Sequence, residues 1–154
     1  MSVAVRTARS DDLEGVLRLY RELRPHDPSL EPNRARAVLA GLIRDDRIDL
    51  IVCESEGVLT ATCMLAIVQS LASGARPFGV VEHVVTLSEF RRCGYARRAL
   101  EHALSLAWSK SCYKVVLLSG AQRKEAHKLY ESVGFVGGIE EGFVARPTIA
   151  EFSR

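Results

Sequence analysis

The sequence predicts an α/β (α+β) fold in which a mixed, mostly antiparallel sheet is covered by helices. Three β-rich runs follow one another between residues 48 and 87, joined by turn signals rather than by helices. A helical pattern comes next, with Ala96, Ala99, Leu100, Ala103, Leu104 and Ala107 spaced by three and four. A short apolar strand and one more helix complete the order, which is that of a layered fold. At 154 residues and 17.0 kDa, the whole chain 1–154 is expected to be one domain.

Each element has its own signal. Residues 3–8 alternate apolar and polar, as an opening strand does. Ser10, Asp11 and Asp12 read as a helix cap, followed by Leu13, Val16, Leu17, Tyr20 and Leu23 on one helical face. Pro25, Pro28 and Pro32 then predict a loop, and a second helix is expected over residues 34–43 with Ala35, Val38, Leu39 and Leu42 inward. Strands over 48–53 and 58–69 are joined by Glu54-Ser55-Glu56-Gly57, a hairpin signal. A third strand is expected over 79–87, which would make an antiparallel meander. Residues 114–118 read as a short buried strand and residues 125–132 as a helix. Phe135-Val136 and Gly142-Phe143-Val144 predict a terminal hairpin.

Composition excludes several classes. A hydrophobic fraction of 47% with 26% charged residues is ordinary for a globular protein and unlike a disordered one. No apolar stretch reaches the roughly 18 residues of a membrane span, and the opening residues do not resemble a secretory signal. The cytoplasm is therefore the expected location, with no membrane partner. A formal charge of +2 is too small for a nucleic-acid footprint. Cys53, Cys63, Cys93 and Cys112 have no metal-site spacing, so they are read as buried small apolar residues and no metal is expected.

The basic residues concentrate where chemistry is expected. Arg91, Arg92, Arg97 and Arg98 surround Gly94, between a strand and a helix. The first N–H groups of a helix have no internal acceptor, and its dipole places partial positive charge there. Gly94 lets a bulky anion approach the backbone, and small Ala96 does nearly the same one turn in. The segment is neither of the common phosphate cradles, having no G-x-x-x-x-G-K-[ST] and no G-x-G-x-x-G.

Arg91-Arg92-Cys93-Gly94-Tyr95-Ala96 resembles the [Q/R]-x-x-G-x-[G/A] acyl-CoA motif of the GCN5-related N-acetyltransferase (GNAT) superfamily. The surroundings resemble it too: the strand Val80-Val81-Glu82-His83-Val84-Val85-Thr86 before the motif, and Leu129-Tyr130 ahead of Gly134-Phe135. Within the superfamily, the Glu82 and Tyr113 segments look most like glucosamine-6-phosphate N-acetyltransferases and their bacterial relatives. His83 stands where those enzymes usually carry an aspartate, and Arg123 where many relatives have an asparagine.

The resemblance implies a GNAT fold and transfer of the acetyl group of acetyl-CoA to a primary amine of a small molecule, by direct attack. It implies that the amides of Arg92, Cys93, Gly94, Tyr95 and Ala96 hold the pyrophosphate, with Arg91, Arg97 and Arg98 as charge support. The open edge at Val84, Val85 and Thr86 would pair with the pantetheine arm, and Arg123 bears on the same substrate. Tyr130 would be the general acid, since a phenol near pKa 10 stays protonated at neutral pH; on the helix alone it reads rather as a core aromatic, and the resemblance reverses that. Glu82 matches the family's acidic position and would take the amine proton, while His83 could do so chemically or be a hydrogen-bonded core histidine. Strand alternation predicts that Glu82 and His83 point to opposite faces. Acetylation of a protein N-terminus or lysine, or a non-catalytic acyl-CoA-sensing module, are the alternatives. The implied partners are acetyl-CoA, an amine acceptor and, as one option, a second copy of the chain as a homodimer.

Overall fold

The computed structural model describes residues 2–147, which form two compact units divided between Leu117 and Leu118. The first unit contains a five-stranded sheet in the order β1-β2-β3-β4-β5, with β1 at Val3–Thr7, β2 at Ile48–Ser55, β3 at Val58–Val68, β4 at Phe78–Thr86 and β5 at Val115–Leu117. The first four strands are antiparallel neighbours, as the meander signals predict. The turn from β2 to β3 is Glu56-Gly57, both at positive φ (52° and 79°), the conformation that two-residue hairpins require. β5 runs parallel to β4, because the helix α4, Tyr95–Ser109, carries the chain back across the sheet.

Two helices precede the meander. A 3-10 turn at Ser10–Asp12 leads directly into α1, Leu13–Leu23. Its most buried residue is Leu19, at 0% exposure, whereas Leu17 of the expected stripe is only half-buried. The second helix, α2, spans Pro32–Arg44 and so starts before the expected position. Pro32 sits in its first turn, where a missing N–H costs nothing, and Glu31 caps it by accepting from the N–H groups of Asn33 (2.8 Å) and Arg34 (2.8 Å). Ala35 and Leu39 are buried, but Val38, expected inward, is exposed.

Between β3 and β4, α3 at Ala72–Ala75 is a single turn with Ser73 and Gly74 left-handed. Arg76 then donates to the carbonyls of Ser111 (3.1 Å) and Cys112 (3.1 Å), tying this turn to the end of α4. On one side of the sheet Leu50, Val52 and Val85 pack with Val16 and Leu19 of α1 and Leu39 of α2, with Met64 and Tyr20 against them. Another cluster joins Cys53 and Ala61 to Tyr95 of α4. Thr60 and Thr62 are fully buried and satisfied, donating to the carbonyls of Cys53 (3.1 Å) and Ile51 (2.6 Å).

The second unit holds α5, Lys124–Ser132. The expected terminal hairpin is not formed: among the described residues no strand follows Leu117, and Val136, Phe143 and Val144 are exposed. The alternating apolar residues there have no strand partner, and a two-stranded ribbon alone is marginal.

Candidate functional site

The loop between β4 and α4 is shaped as an anion site. Arg92 (φ 62°) and Gly94 (φ 79°) are left-handed, and Gly94 caps the helix that starts at Tyr95. The first intrahelical bond runs from the N–H of Arg98 to the carbonyl of Gly94 at 3.1 Å, so the N–H groups of Tyr95, Ala96 and Arg97 open the helix without internal acceptors. A Cβ built on Gly94 would meet nothing within 4 Å, which leaves the space above the loop open.

The arginines around the loop are not equivalent. Arg97 is paired with Glu101 one turn along α4 (2.9 Å), and Arg91 lies 3.6 Å from Glu22 of α1. Arg92 and Arg98 make no ion pair among the described residues. Tyr95 points its ring into the core, where its hydroxyl lies 3.4 Å from Ser55 Oγ. Cys93, expected buried with the other cysteines, is exposed, because the loop turns its side chain outward. Glu22 also accepts from the hydroxyl of Ser88 (3.0 Å), and Arg18 pairs with Glu89. One face of α1 is thereby fastened to the segment leading into the loop.

β4 has an unpaired edge just before this loop. It pairs with β3 over most of its length but with β5 only through Gly79, Val80 and Val81. From Glu82 to Thr86 no strand of the first unit covers that edge. Val84, Val85 and Thr86 lie in this stretch, and Val85 is buried.

The same stretch contains a β-bulge that overturns the alternation expected for Glu82 and His83. Glu82 is opposite Met64 and Val85 opposite Thr62, so His83 and Val84 together face Cys63. His83 is left-handed, at φ 54°. Met64, the partner of Glu82, packs with the α1 cluster, and the ring of His83 lies against Tyr20 of α1, with centroids 5.3 Å apart. Both side chains therefore serve the α1 side of the sheet. Glu82 is exposed, His83 half-buried. Nor is His83 a hydrogen-bonded core histidine: its Nδ1 is buried with no hydrogen-bond partner among the described residues. Tyr20 is expected from the sequence on the apolar face of α1, and nothing local signals its stacking on His83. Burial pushes its phenol up to about 12.

In the second unit, Tyr130 is buried and packs edge-on to Phe135 at 6.2 Å. His127 Nε2 lies 2.9 Å from the carbonyl of Gly120, and Arg123 caps α5. No cluster of three or more His, Cys, Asp or Glu that could hold a metal ion occurs among the described residues, and no described helix is long and apolar enough to cross a membrane.

Residues 13–135 match the acetyltransferase (GNAT) family, an extent that includes β4, the arginine loop and Tyr130. The chain belongs to the GNAT acetyltransferase family. A solved structure of a candidate acetyltransferase from Agrobacterium tumefaciens str. C58 is 40% identical, with 94% of this chain and 99% of that chain covered and a TM-score of 0.88. The GNAT fold extends to more distant structures. A glucosamine-6-phosphate N-acetyltransferase from Arabidopsis thaliana is 21% identical (96% and 99% covered, TM-score 0.84). An aminoglycoside N-acetyltransferase in complex with CoA is 18% identical (96% and 95% covered, TM-score 0.80). No curated protein matches the chain.

Proposed function

We propose that this GNAT protein transfers the acetyl group of acetyl-CoA to a primary amine of a small molecule. The observation that carries the reading is the continuity of two features: the unpaired β4 edge from Glu82 to Thr86 leads into the left-handed loop at Arg92 and Gly94. An extended amide-bearing arm can pair along such an edge while its anionic end meets the helix N-terminus. The CoA complex of the aminoglycoside N-acetyltransferase of like fold supports the same choice of donor.

In this reading the amides from Arg92 to Ala96 bind the pyrophosphate, helped by Arg91, Arg97 and Arg98, and Arg123 bears on the same substrate. A main-chain N–H among Val84, Val85 and Thr86 polarises the thioester carbonyl. The neutral amine attacks that carbon, a C–N bond forms and the C–S bond breaks. Glu82 receives the amine proton, through water, and Tyr130 supplies a proton to the departing thiolate. The site is carried by one domain, 1–154, acting in the cytoplasm without a metal.

The test is direct. Purified protein is heated with CoA or acetyl-CoA, then incubated with acetyl-CoA and primary amines while free thiol is followed. A raised melting temperature and amine-dependent thiol release support the reading; no shift at millimolar CoA removes it.

A further inference from the structure

We propose that His83 is held as its neutral Nε2–H tautomer and serves the acceptor site as a hydrogen-bond donor, selecting amines that also carry an oxygen, rather than as the base. This rests on the acetyltransferase reading above, because only there does the α1 side of β4 receive an amine.

The bulge and the orphan nitrogen carry the inference. A left-handed residue with a bulky side chain is uncommon, and here it turns the imidazole from the opposite face onto Tyr20. That placement buries Nδ1 without a partner. Two tautomers of the neutral ring compete for it. The Nδ1–H tautomer would bury an N–H with no acceptor. The Nε2–H tautomer leaves only a bare lone pair there, and orphaned N–H groups are rarer in proteins than under-used acceptors. The ring is half-buried as a whole, so Nε2, at its other end, is the nitrogen a ligand can reach.

The groups around the ring do not reverse this order. Tyr20, from α1, stays a neutral phenol, its burial pushing it up to about 12. Cys63, opposite the bulge on β3, stays a neutral thiol, also pushed up to about 12 by burial. Glu82 is exposed, and the Tyr20 ring is tilted by 47° to the imidazole rather than stacked face to face. Neither supplies an acceptor at Nδ1.

A fixed donor changes what the site recognises. It pairs with a hydroxyl, carbonyl or carboxylate oxygen near the reacting amine, and it leaves proton removal to Glu82. A donor without a matching oxygen is left unpaired on binding, which penalises plain alkylamines.

Two measurements test this. The first is NMR of protein with ¹⁵N-labelled histidine, the His83 signals being assigned by their loss in His83→Gln. The expected result for the neutral ring is protonated Nε2 and bare Nδ1; an Nδ1–H form overturns the proposal. The second is turnover with acetyl-CoA of paired amines, ethanolamine against propylamine and glucosamine against cyclohexylamine. Wild type should favour the oxygen-bearing member of at least one pair by about tenfold in kcat/KM. His83→Gln, which keeps a donor, should retain the preference, and His83→Met, of similar length without one, should lose it. Equal use of both members, turnover of neither pair, or an unchanged preference in His83→Met overturns the specificity. The CoA-induced melting shift fails separately: its absence removes the acetyltransferase reading, while the tautomer is still decided by NMR.

Discussion

The rings of Tyr20 and His83 lie 5.3 Å apart, joining the first helix to the bulge of β4. Helix α1 is fastened a second time on the same side of the sheet, where Glu22 accepts from Ser88 and faces Arg91 at 3.6 Å. Helix α1 and the loop expected to hold the acyl donor are thus parts of one packed unit.

CoA and acetyl-CoA are expected to raise the melting temperature by mass action, by an amount that grows with concentration above Kd. Dephospho-CoA should do so less, if the arginines without ion pairs, Arg92 and Arg98, reach the 3′-phosphate. Equal shifts for the two ligands would confine those arginines to the pyrophosphate or to solvent.

Gly94→Val should weaken CoA binding at least tenfold, about 1.4 kcal/mol. The side chain fills the open space above the loop, and the left-handed backbone adds a folding cost of about 1–2 kcal/mol. Gly94→Asn separates the two effects, because asparagine tolerates this conformation. It should fold nearly as well as wild type and still bind CoA less tightly in calorimetry.

Tyr130→Phe keeps the edge-on packing against Phe135 and removes only the hydroxyl. If the phenol protonates the leaving thiolate, kcat should fall by about 10²-fold, the low end for general acid catalysis, with CoA affinity little changed. Turnover within about twofold of wild type would make this tyrosine core filler.

Asp12→Asn should destabilise the fold by about 3 kcal/mol near neutral pH, in urea titrations, by breaking a largely buried ion pair. Arg6 donates to both Asp12 oxygens (2.7 and 3.0 Å) and to Glu54 (2.6 Å), and the N–H of Arg9 adds a bond of 2.7 Å to Asp12. Burial by itself would raise the Asp12 carboxyl, but the Arg6 and Arg9 hydrogen bonds outweigh it and hold the group below its ordinary value. A depressed carboxyl contributes stability above its unfolded pKa and loses it as pH falls through the folded one. The gap between wild type and variant should therefore be full near neutrality and close in acid. A gap that stays constant on acidification would assign the effect to packing.

Local sequence sufficed for the order of the main elements as far as α5, for the hairpin at Glu56-Gly57 and for the arginine loop around Gly94, but not for the chain after α5, where the expected hairpin is absent among the described residues. The former are local: positive φ at a turn, apolar spacing along a helix and a glycine before a helix are all written in neighbouring residues. The start of α2 was legible as well, in Glu31 followed by Pro32, although proline as a loop marker masks it. Which apolar residues of a helix go inward was less so; Leu19 is buried and Val38 exposed because packing against the sheet sets the rotation of each helix. The bulge depends on strand pairing. No glycine or proline marks residues 82–85, and alternation there predicts opposite faces for Glu82 and His83. The shift arises from the register of β3 against β4, where Cys63 alone opposes two residues, and register is a property of two strands rather than of either sequence. The early end of β5, which leaves the β4 edge open, is of the same kind.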